Sequence, residues 1–174
     1  MTDPRISGPT SHPGYCRVPT LIITVGLPAS GKTTRARTWI ADNPHQRTRI
    51  NRDDLRQMMG FAPIGNDAQE TAVTDVQRTA VTTLLLAGWD VVVDDTNLHP
   101  ATRRGWYDLA IDCGANHLVW DLTDVTPETC IERDQQRAAA GQRATGETII
   151  TAMHRKYLTT TDPTPTRGMS PATP

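Results

Sequence analysis

Short runs of aliphatic and β-branched residues alternate along the chain with longer stretches in which apolar positions recur at helical spacing. Residues 21–25, 48–51, 90–94 and 117–122 are of the first kind and are predicted as strands. Helices are expected to follow Lys32, Arg52, Asn66, Pro100, Pro127 and Gly146, the third ending at Gly88. Pro100 and Pro127 suit a first helical turn, where the amide that proline lacks would have no intrahelical partner. The run Val91-Val92-Val93 shows no polar alternation, so its strand is expected to be covered on both faces. Strand then helix, repeated, predicts an α/β fold with a central parallel sheet of about four strands flanked by helices.

Both ends of the chain break this pattern. Residues 1–19 carry Pro4, Pro9, Pro13 and Pro19 among glycines and serines, and residues 159–174 are rich in Thr and Pro. Neither segment has the apolar content to pack, and both are expected to be flexible. The core then runs over 20–158 without an internal repeat. A chain of 174 residues is long enough for one such core and too short for two generous ones.

The formal net charge is −1 and the pI about 6.5, so no global positive field would draw the protein onto a nucleic acid. Any such contact must be local. The cations are nearly all arginine, with Lys32 and Lys156 the only lysines, which sets Lys32 apart from a generic solubilising charge. Cys16, Cys113 and Cys130 are odd in number and widely spaced, a pattern of neither a disulfide framework nor a zinc site. This fits a reducing, cytoplasmic compartment. His99 and His154 read as surface or capping residues rather than metal ligands. The apolar run at 21–25 is only strand-sized, so no membrane span is expected.

Between the first strand and the first helix stands Gly26-Leu27-Pro28-Ala29-Ser30-Gly31-Lys32-Thr33, the spacing of a phosphate-binding loop in the context such a loop requires. Gly26 and Gly31 let the backbone turn with its amides inward, toward nucleotide phosphates at the helix N-terminus. Lys32 would neutralise the β- and γ-phosphates and the Thr33 hydroxyl would bind Mg²⁺. Gly26, Ser30, Gly31, Lys32, Thr33 and Thr34 are thus the candidate ATP-binding set.

In an open α/β sheet a ligand meets residues just past the carboxyl ends of the strands. Here these are Asn51-Arg52-Asp53-Asp54-Leu55-Arg56 and Asp94-Asp95-Thr96-Asn97. Transfer to a hydroxyl benefits from a carboxylate that takes the proton, and Asp53 and Asp54 are candidates. Asp53 equally suits the cap of the helix that begins there. Arg56 lies three residues on, on the same face, placed to hold an anionic group of the acceptor or simply to pair with Asp53. Asp94 and Asp95 end an apolar strand, where an acidic residue can support Mg²⁺; only one of two neighbours can face the site, and a buried structural role is expected for the other. Arg133 and Arg137 share a helical face that is either a solvated surface or a lid bringing an arginine to the transferring phosphate.

Taken together, residues 26–34, the Asn-Arg-Asp-Asp-Leu-Arg block and Asp95-Thr96-Asn97-Leu98-His99-Pro100 resemble the kinase module of the bacteriophage 5′-polynucleotide kinases. The Arg133 and Arg137 pair and residues 153–158 are similar too. The resemblance implies a P-loop kinase fold with a helical lid, ATP and Mg²⁺ as cofactors, and DNA or RNA 5′-hydroxyl ends as partners. It further implies Asp53 as general base, Arg56 as reader of an acceptor phosphate, Asp95 as the acid supporting the acceptor site, and Arg137, with Arg133 second, on the ATP phosphates. Thr96 and Arg103 fall where an acceptor strand could pass. The Pro-Thr tail stands where the best-known relatives carry a 3′-phosphatase domain, so that activity is not expected. Residues 138–143 depart from the family's lid, and Thr33 replaces a frequent serine while keeping its hydroxyl.

The expected activity is therefore transfer of the ATP γ-phosphate to a 5′-hydroxyl end, with few phosphate contacts and a shallow salt dependence. Two alternatives stand beside it. One keeps the chemistry and changes the acceptor to a modified base, a tRNA-borne group or a small metabolite; the other is a nucleotide-dependent switch without transfer. Oligomeric state has no signature in the sequence.

Overall fold

The computed structural model describes residues 17–61 and 65–159. Residues 1–16 and 160–174, which hold nearly all of the expected leader and tail, lie outside the described residues. Four strands, β1 (Thr20–Val25), β2 (Arg47–Ile50), β3 (Asp90–Val93) and β4 (Asn116–Asp121), form one parallel sheet in the order β2-β3-β1-β4. Between and after them run α1 (Lys32–Asp42), α2 (Arg52–Met58), α3 (Asp67–Leu86), α4 (Pro100–Asp112), α5 (Pro127–Ala139) and α6 (Glu147–Tyr157).

Alternation along the central strands assigns the two faces. Leu21, Ile23, Val25, Val91 and Val93 point to one side, where Val81 and Leu85 of α3, Trp106 and Leu109 of α4, Cys130 of α5 and Ile150 of α6 close over them. Ile22 and Val92 point to the other, against Ala36 and Trp39 of α1, with Trp39 meeting Trp120 of β4 edge-on at 5.8 Å between ring centres. β3 is buried at every position, its three valines as their lack of alternation predicts and its leading Asp90 with them. Each fully buried aliphatic side chain here contributes roughly 1.5–3 kcal/mol relative to exposure, so this double-sided packing fixes β1 and β3 firmly. β2 and β4 are the edge strands, and on β4 Leu118 and Val119 remain substantially exposed.

The strand ends differ from expectation by a residue. Asn51 is not in β2 but caps α2, its side chain accepting from the Asp54 amide at 3.1 Å. Asp94 likewise falls just beyond β3. Pro100 and Pro127 do occupy first turns, and His99 caps α4 by accepting from the Ala101 amide. Asn66 and Gln69 cap α3 reciprocally. No described helix is long and apolar enough to cross a membrane.

The topology matters for the site because β1 connects through α1 to β2, two places away, and β4 lies on its other side. The carboxyl ends of β1, β2 and β3 therefore open onto one crevice at the point where strand order reverses.

Candidate active site

The loop after β1 is built on backbone conformations that its sequence allows. Gly26 and Gly31 have φ of 154° and 104°, and Ala29 adopts a left-handed φ of 62°. A Cβ on Gly26 would lie 2.8 Å from Ser30 Oγ and 3.0 Å from the Leu122 carbonyl, so no other residue fits there without moving backbone. The Gly26 amide donates to the Thr96 carbonyl at 3.1 Å, tying the loop to the segment after β3. Lys32 opens α1, and its buried ammonium donates to the carbonyls of Gly26 (3.0 Å) and Leu27 (2.5 Å) and to Ser30 Oγ (3.3 Å). Burial lowers its pKa to about 8, opposed by the charges of Asp94 and Asp95. Thr33 and Thr34 follow it in the first turn of α1.

The two aspartates after β3 divide as the pleat requires. Asp94 is buried, takes a 2.5 Å bond from Arg49 Nε on Oδ2, and keeps Oδ1 buried without a partner. Its charge is the largest one raising the Lys32 pKa. The Asp95 carboxylate lies within the protein, accepting from the Arg52 amide at 3.0 Å and from Gln77 Nε2 at 2.5 Å. Burial pushes its pKa up, against the pull of those donors. What Asp95 supports is α2, the helix that carries Asp53 and Arg56. Thr96 contributes its carbonyl to Gly26, and Arg103 donates to the carbonyls of Asn97 and Leu98, so both brace the loops. Asn97, at a positive φ of 41°, donates to the Thr24 carbonyl and accepts from Trp106 Nε1.

Because Asn51 caps α2, Asp53 is free of the capping duty. Its Oδ1 accepts from Arg56 Nη1 at 2.5 Å and lies 3.2 Å from Arg143 Nη2. Arg56 gives Nε and Nη2 to the two oxygens of Glu70, at 2.7 and 2.6 Å. Arg52 joins them, reaching Glu70 Oε2 at 2.9 Å and Thr74 Oγ1 at 2.7 Å. The Arg56 guanidinium is the main cause of a Glu70 pKa held down to about 2, so this carboxylate stays charged at any working pH. Asp54 is more exposed and pairs with Arg49.

Opposite the phosphate loop, Arg133, Gln136 and Arg137 of α5 form one wall of a cavity of about 660 Å³ whose other wall is Ser30, Gly31, Thr34 and Arg35. That volume suits a nucleotide. The charge of Arg137 is felt at Lys32, lowering its pKa. Asp134 of the same helix is buried and accepts from the amides of Thr145 (3.0 Å) and Gly146 (2.7 Å), anchoring the segment that leads into α6.

The structure thus joins the phosphate loop, Asp94, Asp95 and Arg137 in one electrostatic unit, and Asp53 with Arg56 in a second, linked through Arg49, Asn51 and Arg52. Sequence reasoning missed Glu70, Arg49, Gln77, Asp134 and Arg143. The one local signal among them is Arg49, a cation in a short strand leading to the acidic block; the others act through partners distant in sequence.

The fold is shared with known kinases. A chain of the Pnkp1/Rnl/Hen1 RNA repair complex superposes with a TM-score of 0.72 at 24% identity, covering 86% of this chain and 46% of that one. The APS kinase CysC of Mycobacterium tuberculosis, solved with AMPPNP and APS, gives 0.57 at 19% identity, covering 72% and 74%. The L-seryl-tRNA(Sec) kinase of Methanococcus maripaludis is 26% identical over 142 residues, 80% of this chain and 52% of that protein. The chain therefore spans about half the length of the seryl-tRNA kinase and of the RNA repair chain. The profile of the AAA domain family matches residues 21–159, nearly the whole described core, and the chain belongs to that family, with the fold of a P-loop kinase.

Proposed function

We propose that the protein is an ATP-dependent kinase whose acceptor is the 5′-hydroxyl end of DNA or RNA. The observation that carries this reading is the direct contact of Asp53 with Arg56 on α2, on the crevice wall formed by the elements after β2. A base beside an anion-binding guanidinium suits a hydroxyl that has a phosphate nearby, as the terminal nucleotide of a strand does. Among described contacts both guanidiniums on Asp53 fall on Oδ1, which leaves Oδ2 as the atom to take the hydroxyl proton. The hydroxyl oxygen then bonds to the γ-phosphorus, the bond from it to the β–γ bridging oxygen breaks, and ADP departs with the electron pair. Lys32 and Arg137 stabilise the charge that shifts onto the phosphate oxygens. Three of the five Arg56 N–H donors are engaged, which leaves two for a phosphate of the acceptor.

Mg²⁺ fits the donor set. The Thr33 hydroxyl and the unpartnered buried oxygen of Asp94 would hold it, directly or through water, and when bound it neutralises phosphate charge. The likeness to a chain of an RNA repair complex, which in a second structure of the Pnkp1/Rnl/Hen1 complex reaches 27% identity at a TM-score of 0.62, supports a polynucleotide acceptor. The match to a seryl-tRNA kinase favours a second reading, transfer to a tRNA-borne hydroxyl. The two are separated by supplying γ-labelled ATP with a 5′-hydroxyl oligonucleotide, a seryl-tRNA or APS. The oligonucleotide is expected to exceed the others in kcat/KM by at least about tenfold, the scale of discrimination that one specific polar group provides. Preference for seryl-tRNA or APS overturns the polynucleotide reading, and no transfer to any hydroxyl favours a nucleotide-dependent switch.

A further inference from the structure

Of the three arginines on the nucleotide cavity, Arg35 differs from the other two in what it touches. Arg133 and Arg137 come from α5, whereas Arg35 lies on α1, just past its first turn. Its guanidinium sits over the Trp120 ring of β4, 4.4 Å from the ring centre. Trp120 is itself held, since Trp39 of α1 meets it edge-on. Arg47 lies over Trp39 in turn, 4.9 Å from the ring centre, and donates to the Trp39 carbonyl at 2.9 Å. Arg47, Trp39, Trp120 and Arg35 therefore form one row of stacked and edge-on groups, and its last member borders the cavity.

Phosphate charge is already met by the loop amides, by Lys32 and by the arginines of α5. No carboxylate lines the cavity among the described residues, so Arg35 is not there to balance one. A guanidinium seated over an indole offers something else, a delocalised and weakly hydrated plane on which a second flat group can stack. Trp120 does not itself line the cavity, so Arg35 stands between the ring and the cavity space. On the α5 side the wall continues past Arg137 to Ala140 and Gln142, neither of which carries charge. The Gln142 amide can both donate and accept, as the edge of a nucleobase requires.

Given the ATP-dependent reading above, on which this rests, we propose that Arg35, backed by Trp120, is the platform on which the nucleobase of the phosphate donor stacks. A base laid on the guanidinium is held by its π face, as bases are on arginine planes in nucleic-acid complexes. Because Trp120 already seats Arg35 before the nucleotide arrives, little side-chain freedom is lost on binding. Holding the base at one end and the phosphates at the other fixes the line along which the γ-phosphate is presented.

The test uses the full chain with Arg35→Ala and Arg35→Lys, both of which keep a good helix former at an exposed position of α1. Binding of a non-hydrolysable ATP analogue and of inorganic tripolyphosphate is measured by calorimetry in the same Mg²⁺ buffer. The wild type is expected to bind the analogue more tightly than tripolyphosphate. Arg35→Ala should weaken the analogue about tenfold, within the range for one stacked base, and tripolyphosphate by at most about threefold, the effect of one exposed charge. Arg35→Lys keeps the charge without the plane and should lose most of the same analogue affinity. Equal losses for the two ligands overturn the proposal, because Arg35 would then be a phosphate ligand. Analogue binding that is unchanged in Arg35→Ala, or as tight in Arg35→Lys as in the wild type, overturns it too. If the wild type binds neither ligand, the ATP reading fails and the proposal with it; if it binds both equally, the phosphate site stands and the platform alone is overturned.

Discussion

Asp53→Asn is expected to lower the rate of phosphate transfer about 10³-fold, the typical contribution of a positioned general base, while ATP affinity stays within about twofold. The substitution keeps the shape of the side chain and its oxygen toward Arg56, yet the amide cannot take a proton. Asp53 is about half exposed and Asn51, not Asp53, caps α2, so the variant should fold normally. This separates the chemical role from a structural one, since the Arg56 guanidinium keeps both bonds to Glu70. Single-turnover transfer to a hydroxyl acceptor, with nucleotide binding measured in parallel, gives both quantities. Transfer that survives within tenfold assigns the base elsewhere.

Lys32→Met should reduce transfer by about 10²–10³-fold, because it removes the one buried ammonium of the phosphate loop while its apolar stem still fills the space. Lys32 also predicts a pH dependence. With its pKa lowered to about 8 by burial, the wild-type lysine is protonated below that pH and increasingly neutral above it. ATP binds the protonated form better, so binding above pH 8 must take up a proton. ATP affinity is therefore expected to fall as pH rises above about 8, by at most about tenfold per unit, and to be flat in Lys32→Met. Binding titrations of both proteins between pH 6.5 and 9.5, a range chosen as about 1.5 units either side of that pKa, check the sign.

Much of the fold was legible because its signals are local. Three consecutive valines announced the doubly covered β3, and Pro100 and Pro127 marked the starts of α4 and α5. The phosphate loop was legible for the same reason, since its geometry depends on glycines within the motif. Asn51 shows the limit: it continues the pattern of β2, and only the Asp54 amide three residues on turns it into a cap. Charged residues on helices were the least readable. The sequence leaves Arg133 and Arg137 either solvated or facing a ligand, and their place on a cavity wall depends on the loop and start of α1 opposite, which no local pattern announces. Glu70 is invisible from sequence because it gains its meaning from arginines up to 18 residues earlier, brought to it by the packing of α2 on α3. Arg143 is further still from its partner Asp53, and an arginine beside Gly141 and Gln142 carries no pattern of its own.

The central claim is that the crevice joins an ATP site to a base placed for a 5′-hydroxyl. It is tested most directly by incubating the protein with Mg²⁺ and γ-labelled ATP and comparing a 5′-hydroxyl oligonucleotide with its 5′-phosphorylated twin. Label on the first and none on the second is the predicted result. Equal labelling of both would contradict the account, because the phosphate would then be going to a group that the 5′ end does not supply.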